Sequence, residues 1–258
     1  MISISRLFNG KPFDLPWFSQ VLVQSRRGLP RQLKWFPRSL LVCLLSASVV
    51  AQGAQGAQGT KSGNLGVFTN AADVGGPAIP GATEFSAATG EYRITGAGAN
   101  MWAKEDQFQY VWREMTGNFT VSSSLKFLGT GAGHRKGGIV VRETLDTDAK
   151  YAGVMVHGDG MPALQWRSSK GEITNTFNLP FDGPGEFNIK LVRTGVRIFL
   201  FVGKNGAEPK EVVHTEVSFQ GPVMVGLAVT SHDPKAKDTL VFSNVKIEAQ
   251  PAQAPRAQ

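Results

Sequence analysis

Trp102, Arg142, Gln165, Arg167 and His232 are the side chains whose types and spacing suit recognition of a hydroxylated ligand. Sugar binding draws on an aromatic face for C–H stacking and on planar groups that meet paired hydroxyls; Trp supplies the first, and Arg, Gln and Asp supply the second. Arg142 shares one side of its segment with Val140 and Thr144, opposite Ile139, Val141 and Glu143. Gln165 and Arg167 likewise lie opposite Leu164 and Trp166. Each segment thus offers an arginine on a face that the core does not require, and Trp102, in a Gly-rich loop, is placed to stack over a groove between them. The competing reading is structural, with Arg142 and Glu143 in intramolecular ion pairs and Trp102 and Trp166 in the core. His232 ends an apolar run and precedes Asp233-Pro234, a turn opener, so it reads as a turn or sheet-edge histidine rather than a catalyst.

Bond-breaking chemistry finds less support. Glycoside hydrolysis needs two carboxylates flanking the scissile bond, and the pattern E-x-D-x-x-E is absent. Glu143, Asp146 and Asp148 run off an apolar segment and read as a solvated turn. Asp146 or Asp148 would suit calcium, a hard cation, but no loop of dense, regular acidic spacing accompanies them, so no cofactor or metal is expected. The four histidines, His134, His157, His214 and His232, lack zinc-ligand spacing. No G-x-S-x-G, P-loop or dinucleotide fingerprint occurs.

The elements that must carry these residues are strands. Between Asn64 and Glu248 short apolar runs recur between Gly, Pro, Asn and Asp, without helical periodicity. Phe108, Tyr110 and Trp112 alternate with Gln107, Gln109 and Arg113; Phe119, Val121, Leu125 and Phe127 alternate with Thr120, Ser122, Ser124 and Lys126. That pattern predicts sheets wetted on one side. Ile189 and Leu191 lead through Thr194-Gly195 into Val196, Ile198, Leu200 and Val202, a hairpin. Val223, Val225, Leu227 and Val229 alternate with Met224, Gly226 and Ala228, giving a bulky face and a nearly bare one. About a dozen strands in two stacked antiparallel sheets, a jelly-roll β-sandwich, would bury these faces.

In this order the motifs resemble a secreted bacterial family of the concanavalin A-like lectin/glucanase superfamily. The matching residues are Asp73, Gly75 and Pro77 in D-x-G-x-P, then Ile94, Gly96, Gly98 and Trp102 in I-x-G-x-G-x-x-x-W. Asp106, Phe108 and Tyr110 follow, with Gly117 and Phe119. Gly138, Arg142 and Glu143 fit G-x-x-x-R-E, Gln165 and Arg167 fit Q-x-R, and VGLAVTSH and FSNV close the pattern. The named relatives are the "regulation of enolase"-type domains of unknown function and the C-terminal sandwich of some β-xylosidases. The resemblance implies a concanavalin A-like jelly roll and export, and by analogy glycan binding.

Outside that domain the chain is of another character. Arg26, Arg27, Arg31, Lys34 and Arg38 precede the uncharged run Ser39 to Ala51, as in a secretory signal with small residues at its end. The run falls short of the roughly 20 residues that cross a bilayer as a helix, so no stable membrane span is expected once the leader is cleaved. Residues 1–51 then form the leader, 52–63 an AQG-rich flexible spacer, 64–248 the sandwich and 249–258 a Pro/Ala/Gln-rich tail. Seven of the 27 Lys/Arg and one of the 20 Asp/Glu belong to the leader, which leaves 20 bases against 19 acids. The basic balance therefore does not point to nucleic acid. The lone cysteine, Cys43, leaves with the leader too. The chain is accordingly expected to be a secreted, periplasmic or envelope protein that binds carbohydrate without catalysis. The alternatives are a structural or protein-interaction domain of the envelope and, behind it, a glycoside hydrolase of the same fold.

Overall fold

The computed structural model describes residues 63–180 and 183–250, all strands, turns and loops. The expected leader lies outside the described residues, as do the spacer apart from Gly63 and the tail beyond Gln250. In chain order the strands begin with β1 (Asn70–Val74), β2 (Ala82–Ser86), β3 (Glu91–Gly98), β4 (Met101–Trp102) and β5 (Glu105–Asp106). Next come β6 (Phe108–Met115), β7 (Phe119–Leu128), β8 (Lys136–Arg142), β9 (Tyr151–His157), β10 (Pro162–Arg167) and β11 (Asn175–Asn178). The last are β12 (Phe187–Thr194), β13 (Arg197–Lys204), β14 (Lys210–Glu216), β15 (Val223–Thr230) and β16 (Asp233–Ala249). The expected dozen is thus exceeded, because short edge strands and the β4–β5 hairpin carry too few apolar residues to stand out by alternation.

Two seven-stranded antiparallel sheets make up the fold, ordered β1-β6-β15-β8-β9-β10-β11 and β14-β13-β12-β7-β16-β3-β2. Their facing sides meet in one core. The first sheet contributes Val111, Ile139, Val141, Val154, Leu164, Val225 and Leu227; the second contributes Ile94, Val121, Leu125, Ile189, Leu191, Leu200 and Phe242. Each such side chain stabilises the fold by roughly 1.5–3 kcal/mol through removal from water, which makes a disulfide-free sandwich self-sufficient.

The first sheet departs from the expectation of one wetted face. Every residue of β8 and β9 is buried, and so are Phe108 to Trp112 of β6. A second apolar cluster explains this. Phe108, Tyr110, Val140, Tyr151, Met155 and Ala228 point away from the main core and pack under Val74 and Met101. Tyr110 donates its hydroxyl toward the carbonyls of Val140 and Met224, at 3.0 Å each, so its polar tip is satisfied where no water reaches. Val196 also differs from expectation: the β12–β13 hairpin pairs Thr194 with Arg197, which leaves Val196 in the turn and 45% exposed. Its partner Gly195 takes φ +61, the left-handed geometry that tight hairpin turns require.

The two sheets touch backbone to backbone where β3 runs past β15. A Cβ on Gly96 would collide with the Val229 carbonyl, and Gly98, at φ +119, has Gln107 against its α-carbon. Thr230 and Ser231 both donate hydroxyls to the Gly98 carbonyl at 3.3 Å. This clamp fixes the end of β15 and with it the position of His232.

Candidate functional site

The outer side of the first sheet is where the sequence-derived candidates face. Along β8 the outward series is Lys136, Gly138, Val140 and Arg142; along β9 it is Tyr151, Gly153, Met155 and His157. In register, Arg142 faces Tyr151 and Arg167 faces the same Tyr151 from β10. Gln165 lies opposite Gly153, and Lys136 opposite His157. The sheet therefore presents two arginines at one end of these strands and a lysine with a histidine at the other.

The arginine end is closed. Arg142 and Arg167 are fully buried, and both converge on the equally buried Asp106 of β5. Arg167 meets the carboxylate through both terminal nitrogens, at 2.9 and 3.0 Å, and Arg142 reaches it at 3.3 Å. Backbone carbonyls take further donors, and the Thr174 hydroxyl accepts one from Arg167. Arg142 Nε donates to the Thr144 carbonyl and Nη2 to that of Asp146. Arg167 donates to the carbonyls of Glu172, Ala149 and Ala103. Neither guanidinium lines an open cavity, so the expected pair of ligand-contacting arginines is corrected: they serve an internal ion pair, the structural alternative for Arg142. Glu143 belongs to a different pair, with Lys150 at 3.0 Å, and Trp166 packs half-buried against the main core.

That ion pair positions something. Asp106 closes the β4–β5 hairpin, in which Trp102 pairs with Glu105 across a turn where Ala103 takes φ +50. Met101 anchors the hairpin in the second apolar cluster. Thr174 donates its amide to the Ala103 carbonyl at 2.7 Å, and Asp106 donates its own to Thr147 at 3.0 Å. Pinned on these sides, the hairpin holds the Trp102 indole, 37% exposed, over the sheet.

The lysine end is open and forms a cavity of about 340 Å³. Its floor is Lys136, His157, Gln165 and Asn178, from β8, β9, β10 and β11. Trp102 and Asn100 form one side, and His134, His232 and Met161 complete the lining. Trp102, Gln165 and His232 are thus brought together, and Arg142 and Arg167 are not. His232 holds φ +57, a left-handed conformation that non-glycine residues seldom adopt. It occupies the turn between β15 and β16, as its Asp-Pro sequel predicted.

Charge at this end is one-sided. The Lys136 ammonium stands 5.6 Å from the centre of the Trp102 ring and has no ion-pair partner among the described residues. Burial lowers its pKa to about 8, against an opposing pull from Asp106. His134 and His157 bring their Nδ1 atoms to 3.2 Å, and the His134 and His232 rings lie 5.6 Å apart. Burial first, then the charges of Lys136 and the neighbouring histidines, push His157 down to about 3. The same causes lower His232. Among the described residues no aspartate or glutamate lines the cavity. Among the described residues the buried Gln165 Oε1 and His157 Nε2 at the floor have no hydrogen-bond partner.

Among the described residues no three His, Cys, Asp or Glu side chains are grouped to hold a metal. Asp146 and Asp148, weighed for calcium, both lie beside the Lys170 ammonium. His214 is remote from the cavity, against Phe199 of the second sheet.

Lys136 and Asn178 were not singled out from sequence, and His134 and His157 were weighed only as zinc ligands. The signal was the period of two: His134 and Lys136 continue backward the outward series that Arg142 and Val140 begin, and His157 ends the series that Tyr151 begins.

No protein-family model matches the sequence, and no curated protein does. Solved structures do resemble it. A functionally unknown protein from Saccharomyces cerevisiae aligns with TM-score 0.53 and 13% identity over 66% of this chain and 92% of that one. A mutant of the GH43 protein BlXynB from Bacillus licheniformis aligns with TM-score 0.51 and 13% identity, over 74% of this chain and 38% of that longer one. The carbohydrate-binding module CBM66 from Bacillus subtilis aligns at TM-score 0.47 and 17% identity, over 71% and 98%. At these identities the likeness is one of fold, an all-β sandwich.

Proposed function

We propose that this chain is an exported, concanavalin A-like jelly-roll domain that binds carbohydrate on the outer side of its first sheet without cleaving it. The observation that carries the reading is the open cavity in which the part-exposed Trp102 indole overhangs a floor that holds the amides of Gln165 and Asn178. An indole face takes the apolar side of a pyranose ring. Asn100, Gln165 and Asn178 offer the donors and acceptors that hydroxyl pairs need, and Gln165 Oε1 has no competing partner among the described residues. The cavity volume falls at the lower end of small-ligand sites, a size for one or two sugar residues. Among the described residues the cavity lining holds no pair of carboxylates of the kind that glycoside hydrolysis uses. Export rests on the basic leader and its short apolar run.

Binding is tested by affinity electrophoresis and calorimetry of the full chain against a panel of oligosaccharides. Retention that weakens at least tenfold in Trp102→Ala and Gln165→Ala, with folding unchanged, supports the reading. No retention on any member, or retention indifferent to both substitutions, overturns it.

A further inference from the structure

We infer that the saccharide bound in this cavity is acidic, with its carboxylate or sulfate meeting the ammonium of Lys136; the inference rests on the saccharide reading above and specifies its ligand class. Lys136 opens β8 and is only 2% exposed, yet no carboxylate stands within ion-pair distance of it among the described residues. The groups that face it are Trp102 from β4, His157 from β9, and His134 and His232 from the adjoining turns. Asp106 of β5 is the carboxylate whose charge reaches it, and that acid already serves two guanidiniums. Among the described residues the region is therefore short of negative charge, and the lining adds none.

Occupancy sharpens the argument. A neutral sugar filling the cavity would strip remaining water from the ammonium and return nothing of opposite charge, and a buried ion without a partner is heavily penalised. A ligand anion supplies that partner through a short, charge-assisted hydrogen bond. The cavity also asks for hydroxyls, because Gln165 Oε1 is an acceptor without a donor among the described residues. A molecule carrying both, an anionic group beside sugar hydroxyls, satisfies Lys136 and Gln165 together. A simple inorganic anion satisfies Lys136 alone and leaves Trp102 uncovered.

The test compares, on the full chain by calorimetry, oligogalacturonate with its methyl ester. The two share every ring and hydroxyl and differ in charge. Oligomers of mannuronate and guluronate, a sulfated galactan oligosaccharide, and neutral xylo- and gluco-oligosaccharides complete the panel. The expected result is at least tenfold tighter binding of one or more acidic members than of any neutral one. For a uronate ligand, esterification removes that preference; binding of the sulfated member alone assigns the anion as sulfate. Lys136→Met should abolish the preference while its circular dichroism stays that of the wild type. Binding confined to neutral members, or equal binding of acid and ester with no sulfated ligand preferred, overturns the inference and leaves the saccharide reading standing. Binding of no member overturns both.

Discussion

Asp106 and Arg167 form a two-pronged ion pair, at 2.9 and 3.0 Å, with both side chains fully buried. Arg142 joins the same carboxylate at 3.3 Å. Removing one partner of such a group leaves charge stranded away from water, which costs about 3–5 kcal/mol. Asp106→Asn should therefore lose stability on that order, read as a shift in the denaturation midpoint at constant slope. A change below about 1 kcal/mol would show that the guanidiniums find other partners.

Trp102 depends on that pair for its place but adds little to the fold, being over a third exposed at a hairpin tip. Trp102→Ala should cost less than about 1 kcal/mol of stability while lowering saccharide affinity tenfold or more, the usual contribution of an aromatic anchor. Trp166→Ala should do the reverse, since that ring packs half-buried on the main core. Paired thermal melts and calorimetry separate the two; equal effects of both substitutions on affinity would remove Trp102 from the site.

How far the sequence reached is instructive at these same residues. Two antiparallel sheets were legible because Phe187, Ile189 and Leu191 of β12, and Val223, Val225, Leu227 and Val229 of β15, recur at every second position. The outer face was misjudged for a physical reason. Alternation reports which residues share a side, and it does not say what covers that side. Phe108, Tyr110 and Trp112 sit under Met101 of a two-residue strand too short to show any period. Arg142 and Arg167 were placed correctly on the outward face. Their partner Asp106 lies 36 and 61 positions away in the chain, and nothing local marks that meeting. Three histidines that share no metal-ligand spacing gather because the β7–β8 connection, the end of β9 and the β15–β16 turn meet at one end of the sheet.

Acid stability should report on His157. Its folded pKa of about 3 lies below the ordinary 6.5, so between those values the unfolded chain holds the proton and the native one does not. Stability accordingly falls as pH drops from about 6.5 toward 3, with a slope approaching 1.4 kcal/mol per pH unit from this group. His232, also lowered, adds in the same direction. His157→Gln should flatten the decline when urea midpoints are compared at neutral and mildly acidic pH. Parallel curves for the two proteins would mean that His157 takes up its proton in the native state.

Lys136 should trade stability for binding. Its folded pKa of about 8 is below the ordinary 10.5, so at neutral pH the native state carries a buried charge that the unfolded state holds at less cost. The unfolded chain binds more protons between about 8 and 10.5, and stability from this group rises with pH through that window. Lys136→Met removes the cost. The variant should therefore be more stable than the wild type near neutrality, by up to roughly 3 kcal/mol, and the advantage should shrink toward pH 10.5. Affinity for an acidic saccharide runs the other way. In the wild type it should decline as pH climbs past about 8, because the ammonium that meets the anion loses its proton. Thermal melts of both proteins across that range, with calorimetry of the wild type alongside, read both trends at once. A variant less stable than the wild type at neutral pH would mean that the lysine stem packs better than its charge costs.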